Sequence, residues 1–342
     1  AGGREQRILR LDNRGKRAIT LALGAPGSEA VVQRLVATAD VFITNLIQPR
    51  RERFGLTVEA VQALNPRAVY VSFSGYGTEG PDAGRAGFDF AAFWARSGIM
   101  SVLSHPDGPP VLNRSGQGDH TTALNLLAAT LAALRLRDQT GQGQVVDVTL
   151  LGTGMWTIAS DLTHALVAKR QPTPTDRTAP LNPLGNSYRC ADRRWLLLVM
   201  PIADAYWPRF CAMAGHPEWT EDPRYVSLAA RRAHTRELTA LIDAVFAAAD
   251  SAAWAHRLDE AGLIWAPMAE LPEIIADPTA RALDAFATVQ HPDHGPYETL
   301  NTPFRIRGAD ISPRGPAPRV GEHTVEVLAE LGFTDDEVAD LA

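Results

Sequence analysis

Gly116-Gln117-Gly118-Asp119-His120-Thr121-Thr122 is the stretch of this 342-residue chain whose residue types could do covalent chemistry. Two glycines let the backbone bend tightly, and Asp119 stands where a helix over 121–137 is expected to begin. A carboxylate there has two readings. As an N-cap it accepts a backbone N–H of the first turn, is worth about 1 kcal/mol, and needs no function. As a nucleophile it attacks an electrophilic carbonyl, and the free N–H groups of the helix start stabilise the oxyanion that forms. Residue type and position leave both open.

Either role needs a scaffold, and the chain ahead of the motif reads as one. Ala18-Ile19-Thr20-Leu21-Ala22-Leu23 predicts a strand ended by Gly24 and Pro26. Ser28 is expected to cap a helix through 39, with Val31, Val32, Leu35 and Val36 on one face. Val41-Phe42-Ile43 reads as a short apolar strand of the buried, parallel kind. Residues 45–55 form a loop carrying Arg50, Arg51 and Arg53, Thr57 caps a second helix ended by Pro66, and 68–73 is the next strand. Strand alternating with helix over short loops predicts an open α/β sheet. Gly75-Tyr76-Gly77-Thr78-Glu79-Gly80 has dinucleotide-fingerprint spacing, but Pro81-Asp82-Ala83-Gly84 follows where that fingerprint needs a helix. It reads instead as a loop at the sheet's carboxyl edge. Residues 88–97 predict a helical turn or two with Phe90, Phe93 and Trp94 in the core, and 104–110 a loop. The helix after Asp119 is apolar almost all round at Leu124, Leu127, Ala128, Leu131 and Leu134, which predicts burial. A strand over 145–150 and a helix over 152–167 follow.

Four prolines over 169–185 mark a linker. Beyond it, 186–190 and 195–199 predict a hairpin, then helices over 203–214, 227–248 and 251–261, with Gly262 at the last C-cap. Tyr206, Trp207, Phe210 and Met213 read as a packing face. Two helices, 323–331 and 335–341, close the chain. The domain plan is a large α/β domain over 1–168 and 312–342, a small α+β domain over 186–290, and linkers at 169–185 and 291–311.

A net charge of −6 argues against a general nucleic-acid or anionic-membrane surface. Arg4, Arg7, Arg10, Arg14, Lys16 and Arg17 are a solvated basic face, with a polyanionic ligand as the alternative. Two cysteines, Cys190 and Cys211, beside apolar residues, read as buried reduced thiols and not as a metal pair. No signal peptide and no apolar run of about 18 residues is visible, so a soluble, cytoplasmic protein without a metal is expected.

The order of several further segments is specific. Asn13-Arg14-Gly15-Lys16-Arg17-Ala18-Ile19, Ala39-Asp40-Val41-Phe42-Ile43-Thr44-Asn45, Leu64-Asn65-Pro66-Arg67, Ser74-Gly75-Tyr76-Gly77, Gly118-Asp119, Arg137 with Thr140-Gly141-Gln142-Gly143-Gln144, and the terminal Gly321-Glu322-His323-Thr324 follow one another across nearly the whole chain. In that series the chain resembles class III coenzyme A transferases, the CaiB/BaiF family. Members carry several tens of residues before the Asn-Arg-Gly-Lys-Arg motif, including a first strand and helix. The resemblance implies that this chain starts after them or lacks them. It also implies a Rossmann-like open parallel sheet in the large domain, a smaller α+β domain, and an interlocked homodimer.

Position by position, Asp119 matches the family's catalytic aspartate, which forms an aspartyl-CoA thioester while coenzyme A passes from an acyl-CoA to a small carboxylic acid. Asn45, Leu46 and Arg53 match positions at the adenosine-diphosphate end of coenzyme A, Leu21 and Leu23 lie on the adjoining strand end, and Arg85 with Ala86 matches the pantetheine stretch. Arg50 and Arg51 could assist. The family's racemase branch places a histidine before the aspartate equivalent to Asp89; here that position is Phe88, which cannot transfer a proton. His120 points elsewhere on the helix than its neighbour Asp119 and is expected to be structural. Transferases acting on 2-hydroxyacyl or aryl-acryloyl thioesters are the resemblance that fits, with a racemase or a non-catalytic coenzyme A-binding dimer as alternatives.

Overall fold

The computed structural model describes residues 11–105, 108–173 and 176–341. Arg4, Arg7 and Arg10 of the basic face, and two residues of the 104–110 loop, lie outside the described residues. The described residues pack as two compact units: one holds those up to Val102, those of Pro110–Pro172 and those from Arg281 onward, the other those within Thr173–Ala280 and within Leu103–Pro109.

The first unit is built on helix α1 (Ser28–Thr38) and the parallel strands β1 (Val41–Thr44), β2 (Val69–Ser74) and β3 (Val145–Thr149), in the order β1-β2-β3. Central β2 buries Val69, Tyr70 and Val71 completely, the burial expected of a middle parallel strand. β1 is a strand as expected but not a buried one: it lies at the edge, and Ile43 is 56% exposed. The 18–23 strand does not form. Its backbone is engaged by the C-terminal segment instead, with Ala18 N–H donating to His323 Nδ1, His323 N–H to the Ala18 carbonyl, and Thr20 N–H to Thr324 Oγ1. Ser28 does not cap α1 either. The N-cap is Gly27 at φ 82°, and the Ser28 hydroxyl donates to the Ala25 carbonyl and accepts Gly24 N–H, which tightens the turn ahead of the helix.

The supposed 45–55 loop contains a short helix, α2 (Gln48–Arg53), opened by Pro49. Thr57 Oγ1 accepts Ala60 N–H at the start of α3 (Val58–Leu64), as its sequence predicts. Asn65 then donates its amide to the carbonyls of Val36 and Ala39, closing the end of α1. Residues 89–96 coil as a π-helical segment, Asp89–Arg96; Phe93 is core, whereas Phe90 is exposed, because the wider turn rotates it off the inward face. Helix α4 (Gln117–Thr140) is longer than expected at both ends and ends at Gly141, φ 75°. Nor is it buried all round: Leu124, Leu127, Leu131 and Leu136 are exposed, while Thr122, Thr130 and Ala133 face protein. Gly143 passes so close to β2 that an added Cβ would lie 2.1 Å from the Ala68 carbonyl oxygen. The helix expected over 152–167 is two, α5 (Leu150–Thr157) and α6 (Ala159–Ala168), broken where Ile158 leaves helical geometry.

In the second unit β4 (Ser187–Arg189) and β5 (Trp195–Leu198) form the expected antiparallel hairpin, turned at Arg193, φ 69°, and β5 pairs on its other side with an unforeseen strand, β6 (Trp265–Pro267). Between them run α7 (Ala203–Ala214), α8 (Leu228–Ala233), α9 (Thr235–Phe246) and α10 (Ser251–Glu260); α8 and α9 were expected as one helix but break at His234. Trp207 and Phe210 pack in the core with Tyr206 and Met213 against it. Cys190 and Cys211 are free and buried, and burial pushes both thiols up to about 11. Arg231 is wholly buried, 4.6 Å above the Trp207 ring and ion-paired with Asp204.

Residues 281–300, given from sequence partly to the smaller domain and partly to a linker, belong to the first unit, with β7 (Phe286–His291) and β8 (Gly295–Leu300) as an antiparallel hairpin. Helices α11 (Thr324–Glu330) and α12 (Asp335–Leu341) finish the chain, with Leu328, Phe333 and Val338 packed on Val31 of α1. Among the described residues no single helix is long and apolar enough to cross a membrane.

Candidate active site

The start of α4 is organised by a residue thirty positions upstream of Asp119. Gly116 is the N-cap, at φ 93°, a conformation that glycine adopts without strain. The carboxylate that satisfies the helix start belongs to Asp89, which is only 4% exposed and accepts Gly116 N–H at 2.6 Å and Gly118 N–H at 3.0 Å. Gly118 must be glycine for this: a Cβ there would lie 2.3 Å from Asp89 Oδ1 and 2.4 Å from Cγ of Phe93. Capping from another segment settles the first reading of Asp119. It is the third residue of the helix, makes no capping bond, and among the described residues its carboxylate has no hydrogen-bond or ion-pair partner.

Asp119 is therefore an exposed carboxylate held by backbone alone. Desolvation by the surrounding protein is the largest cause raising its pKa above the ordinary carboxylate value, and the like charge of Asp89 is the next. His120 works against the rise and Asp12 adds to it. The His120 ring meets Asp12, with Nε2 3.2 Å from Oδ1.

A cleft of about 460 Å³ opens at the carboxyl ends of the parallel strands, where ligands bind in open α/β sheets. Asn45 follows β1, Ser74 ends β2 and Leu150 follows β3; all three line it. The structure brings Asn45, Leu46, Arg85 and Ala86 together here. It places Leu23 and Arg53 elsewhere, in a smaller cleft of about 260 Å³ with Gly24, Glu29, Phe54 and Gly55. Leu21 lies in neither; it packs with Val31 and Leu328. Arg85 sits 5.7 Å above the Tyr76 ring and 3.5 Å from Asp82. The cleft also contains Ile47, Phe73, Thr78 and a buried Arg51, residues given no firm role from sequence.

The mouth loop closes on itself. Gly75 and Gly87 meet back to back, and a Cβ on either would fall 2.5 Å from the other's Cα. Ser74 Oγ accepts Gly77 N–H at 2.9 Å in the same turn. Phe88, 74% exposed, lines the cleft, and the next residue is Asp89, which holds the Asp119 helix. Among the described residues no group of three or more His, Cys, Asp or Glu side chains is placed to hold a metal ion.

A parallel sheet with a cleft at its carboxyl edge, followed in the chain by a helix start bearing an unshared carboxylate, is the framework of an α/β enzyme. A model of CoA-transferase family III matches residues 2–324; the chain belongs to that family and is a transferase. It is 28% identical over 334 residues to (R)-2-hydroxy-4-methylpentanoate CoA-transferase of Clostridioides difficile, covering 98% of this chain and 83% of that one. To cinnamoyl-CoA:phenyllactate CoA-transferase of Clostridium sporogenes it is 28% identical, with coverage of 97% and 81%. To succinate–glutarate CoA-transferase of Agrobacterium fabrum it is 30% identical, with coverage of 93% and 79%. A solved CaiB/BaiF family protein from Brucella suis is similar in fold with a TM-score of 0.84 at 28% identity, covering 95% of this chain and 84% of that one.

Proposed function

We propose that this chain moves coenzyme A from an acyl-CoA to a free carboxylic acid through a covalent thioester on Asp119. The observation that carries the reading is the Asp119 carboxylate itself: exposed, unshared, and relieved of the capping role by Asp89. A carboxylate made more basic by its surroundings is the better nucleophile. It attacks the thioester carbonyl and expels the coenzyme A thiolate, leaving a mixed anhydride. The thiolate then attacks the aspartyl carbonyl, which releases the donor acid and forms the aspartyl thioester. The acceptor carboxylate repeats the two exchanges in reverse order and leaves as acyl-CoA, with Asp119 ionised again. No proton is consumed, so the Phe88 position needs no acid or base. The strand-end cleft takes the coenzyme, with Asn45 and Leu46 towards its nucleotide end and Arg85 and Ala86 along the pantetheine; Leu23 and Arg53 border the nucleotide from the smaller cleft, and Leu21 supports that edge from the packing behind it. Two relatives are named for 2-hydroxy acids or their unsaturated thioester, which supports that acid class here.

The exposed leucines of α4 support an interlocked homodimer, since a row at 124, 127 and 131 is a wide apolar stripe to leave in water. The same plan divides the chain into a large domain and a small one, the small one ending near Ala280 rather than at 290.

The test is Asp119→Asn. Because Asp119 caps nothing, its thermal midpoint should stay within about 1 °C, while turnover falls by several orders of magnitude. Incubation of the wild type with acyl-CoA should add a hydroxylamine-sensitive mass at Asp119. An Asn variant keeping a tenth of wild-type turnover, about 1.4 kcal/mol in barrier, sinks the covalent route. Absence of both turnover and adduct in the wild type returns the non-catalytic reading.

A further inference from the structure

Two arginines are fully buried among the described residues, and they are not alike. Arg231 is stacked on Trp207 and neutralised by Asp204. Arg51, on α2, is 4% exposed and among the described residues touches only neutral acceptors: Nε donates to the Leu46 carbonyl, and Nη2 to Ser72 Oγ at 2.8 Å. Its guanidinium lies 6.0 Å from the Tyr70 ring centroid, and Tyr70 gives its own hydroxyl proton to the Leu56 carbonyl. Asp147, beside Ser72 in the strand register, is exposed and makes no ion pair with it. A buried cation without a counter-charge is costly, and removing the counter-charge from such pairs is strongly destabilising. This one also lines the strand-end cleft.

We propose that Arg51 binds an anionic oxygen of the ligand in that cleft, which supplies the counter-charge that none of the described residues gives it. The inference rests on the transferase reading only for the ligand's name. Two anions are available in that reading, the diphosphate of coenzyme A and the carboxylate of the acid. Arg51 is placed for either by chemistry, since a guanidinium fixed at two of its nitrogens presents the remaining donors without further loss of side-chain freedom. The smaller cleft at Arg53 is separate, so Arg51 adds a second arginine to the binding surface rather than duplicating the first.

The experiment compares wild type, Arg51→Met and Arg51→Lys by calorimetric titration with 3′-dephospho-coenzyme A, 4′-phosphopantetheine, pantetheine and inorganic pyrophosphate. KM and kcat are measured alongside for (R)-2-hydroxy-4-methylpentanoate as acceptor. The expected result for Met is a 10- to 100-fold loss for the phosphate-bearing ligands with pantetheine unchanged. Unchanged coenzyme analogues with a raised acceptor KM and preserved kcat also support the proposal and assign the carboxylate as the anion. An equal loss for pantetheine and dephospho-coenzyme A, or no change in any parameter, overturns it. Should Met fail to fold, Lys decides by the same pattern at about 3- to 10-fold. Pyrophosphate separates this inference from the transferase reading: if it binds the wild type through Arg51 while no coenzyme analogue binds, the transferase reading falls and Arg51 stands.

Discussion

Asp89→Asn tests whether one buried carboxylate both builds the helix start and sets the chemistry of the next acid. Asp89 accepts two N–H groups, at 2.6 and 3.0 Å, in a setting that is 96% removed from solvent. Asparagine keeps one carbonyl oxygen for one of them and turns an amide donor toward the other. One charge-assisted bond is lost and one buried N–H is left facing a donor. Hydrogen bonds to charged groups are worth about 1.5–3 kcal/mol, and an orphaned buried donor costs a similar amount. A destabilisation of about 2–4 kcal/mol is expected in urea unfolding at neutral pH. The electrostatic effect has a definite sign. The negative charge of Asp89 helps raise the Asp119 pKa, so its removal lowers that pKa and keeps the Asp119 carboxylate ionised further into acid. The acid limb of kcat against pH should move to lower pH in the variant, even if kcat on the plateau falls through looser geometry. A merely structural role changes the midpoint of unfolding and leaves the limb where it was. Stability within about 0.5 kcal/mol of wild type, together with an unmoved acid limb, would refute the reasoning on both counts.

Gly118→Ala should cost about 3 kcal/mol or more and weaken folding cooperativity, because the added methyl meets Asp89 and the Phe93 ring and neither can retreat from the π-helical segment; calorimetric Tm checks it. Cys190 and Cys211, with thiols pushed up to about 11, should resist thiol reagents at pH 8 and react fully in denaturant; rapid labelling of the folded protein would contradict their burial.

The parallel alternation of strand and helix was legible because each element carries its own signal: Thr57 before α3 and β2 as an apolar run. What was hidden depends on partners distant in the chain. Residues 18–23 look like a strand, yet their hydrogen bonds go to His323 and Thr324, about three hundred positions away. Asp119 looked like a cap because its true competitor, Asp89, reaches the helix from another segment. The leucines of α4 predicted burial by their number, but only one side of that helix meets its own unit. The glycines at 75, 87, 118 and 143 carried the most recoverable signal that was missed, since each marks a place where two pieces of chain approach too closely for a methyl group.

The back-to-back contact of Gly75 and Gly87 has a consequence for how the cleft can change over time. Its two ends are pinned by backbone packing that ignores what lies between them. Residues 76–86 are thus a cassette: they can be exchanged or lengthened at the small entropic cost of a longer closed loop, without shifting β2 or the Asp89 grip on the start of α4. The mouth of the cleft and the helix start that bears Asp119 are thereby separately adjustable, and on the proposed transfer route a loop grafted between these two glycines should change which thioester enters while leaving the Asp119 carboxylate as it is.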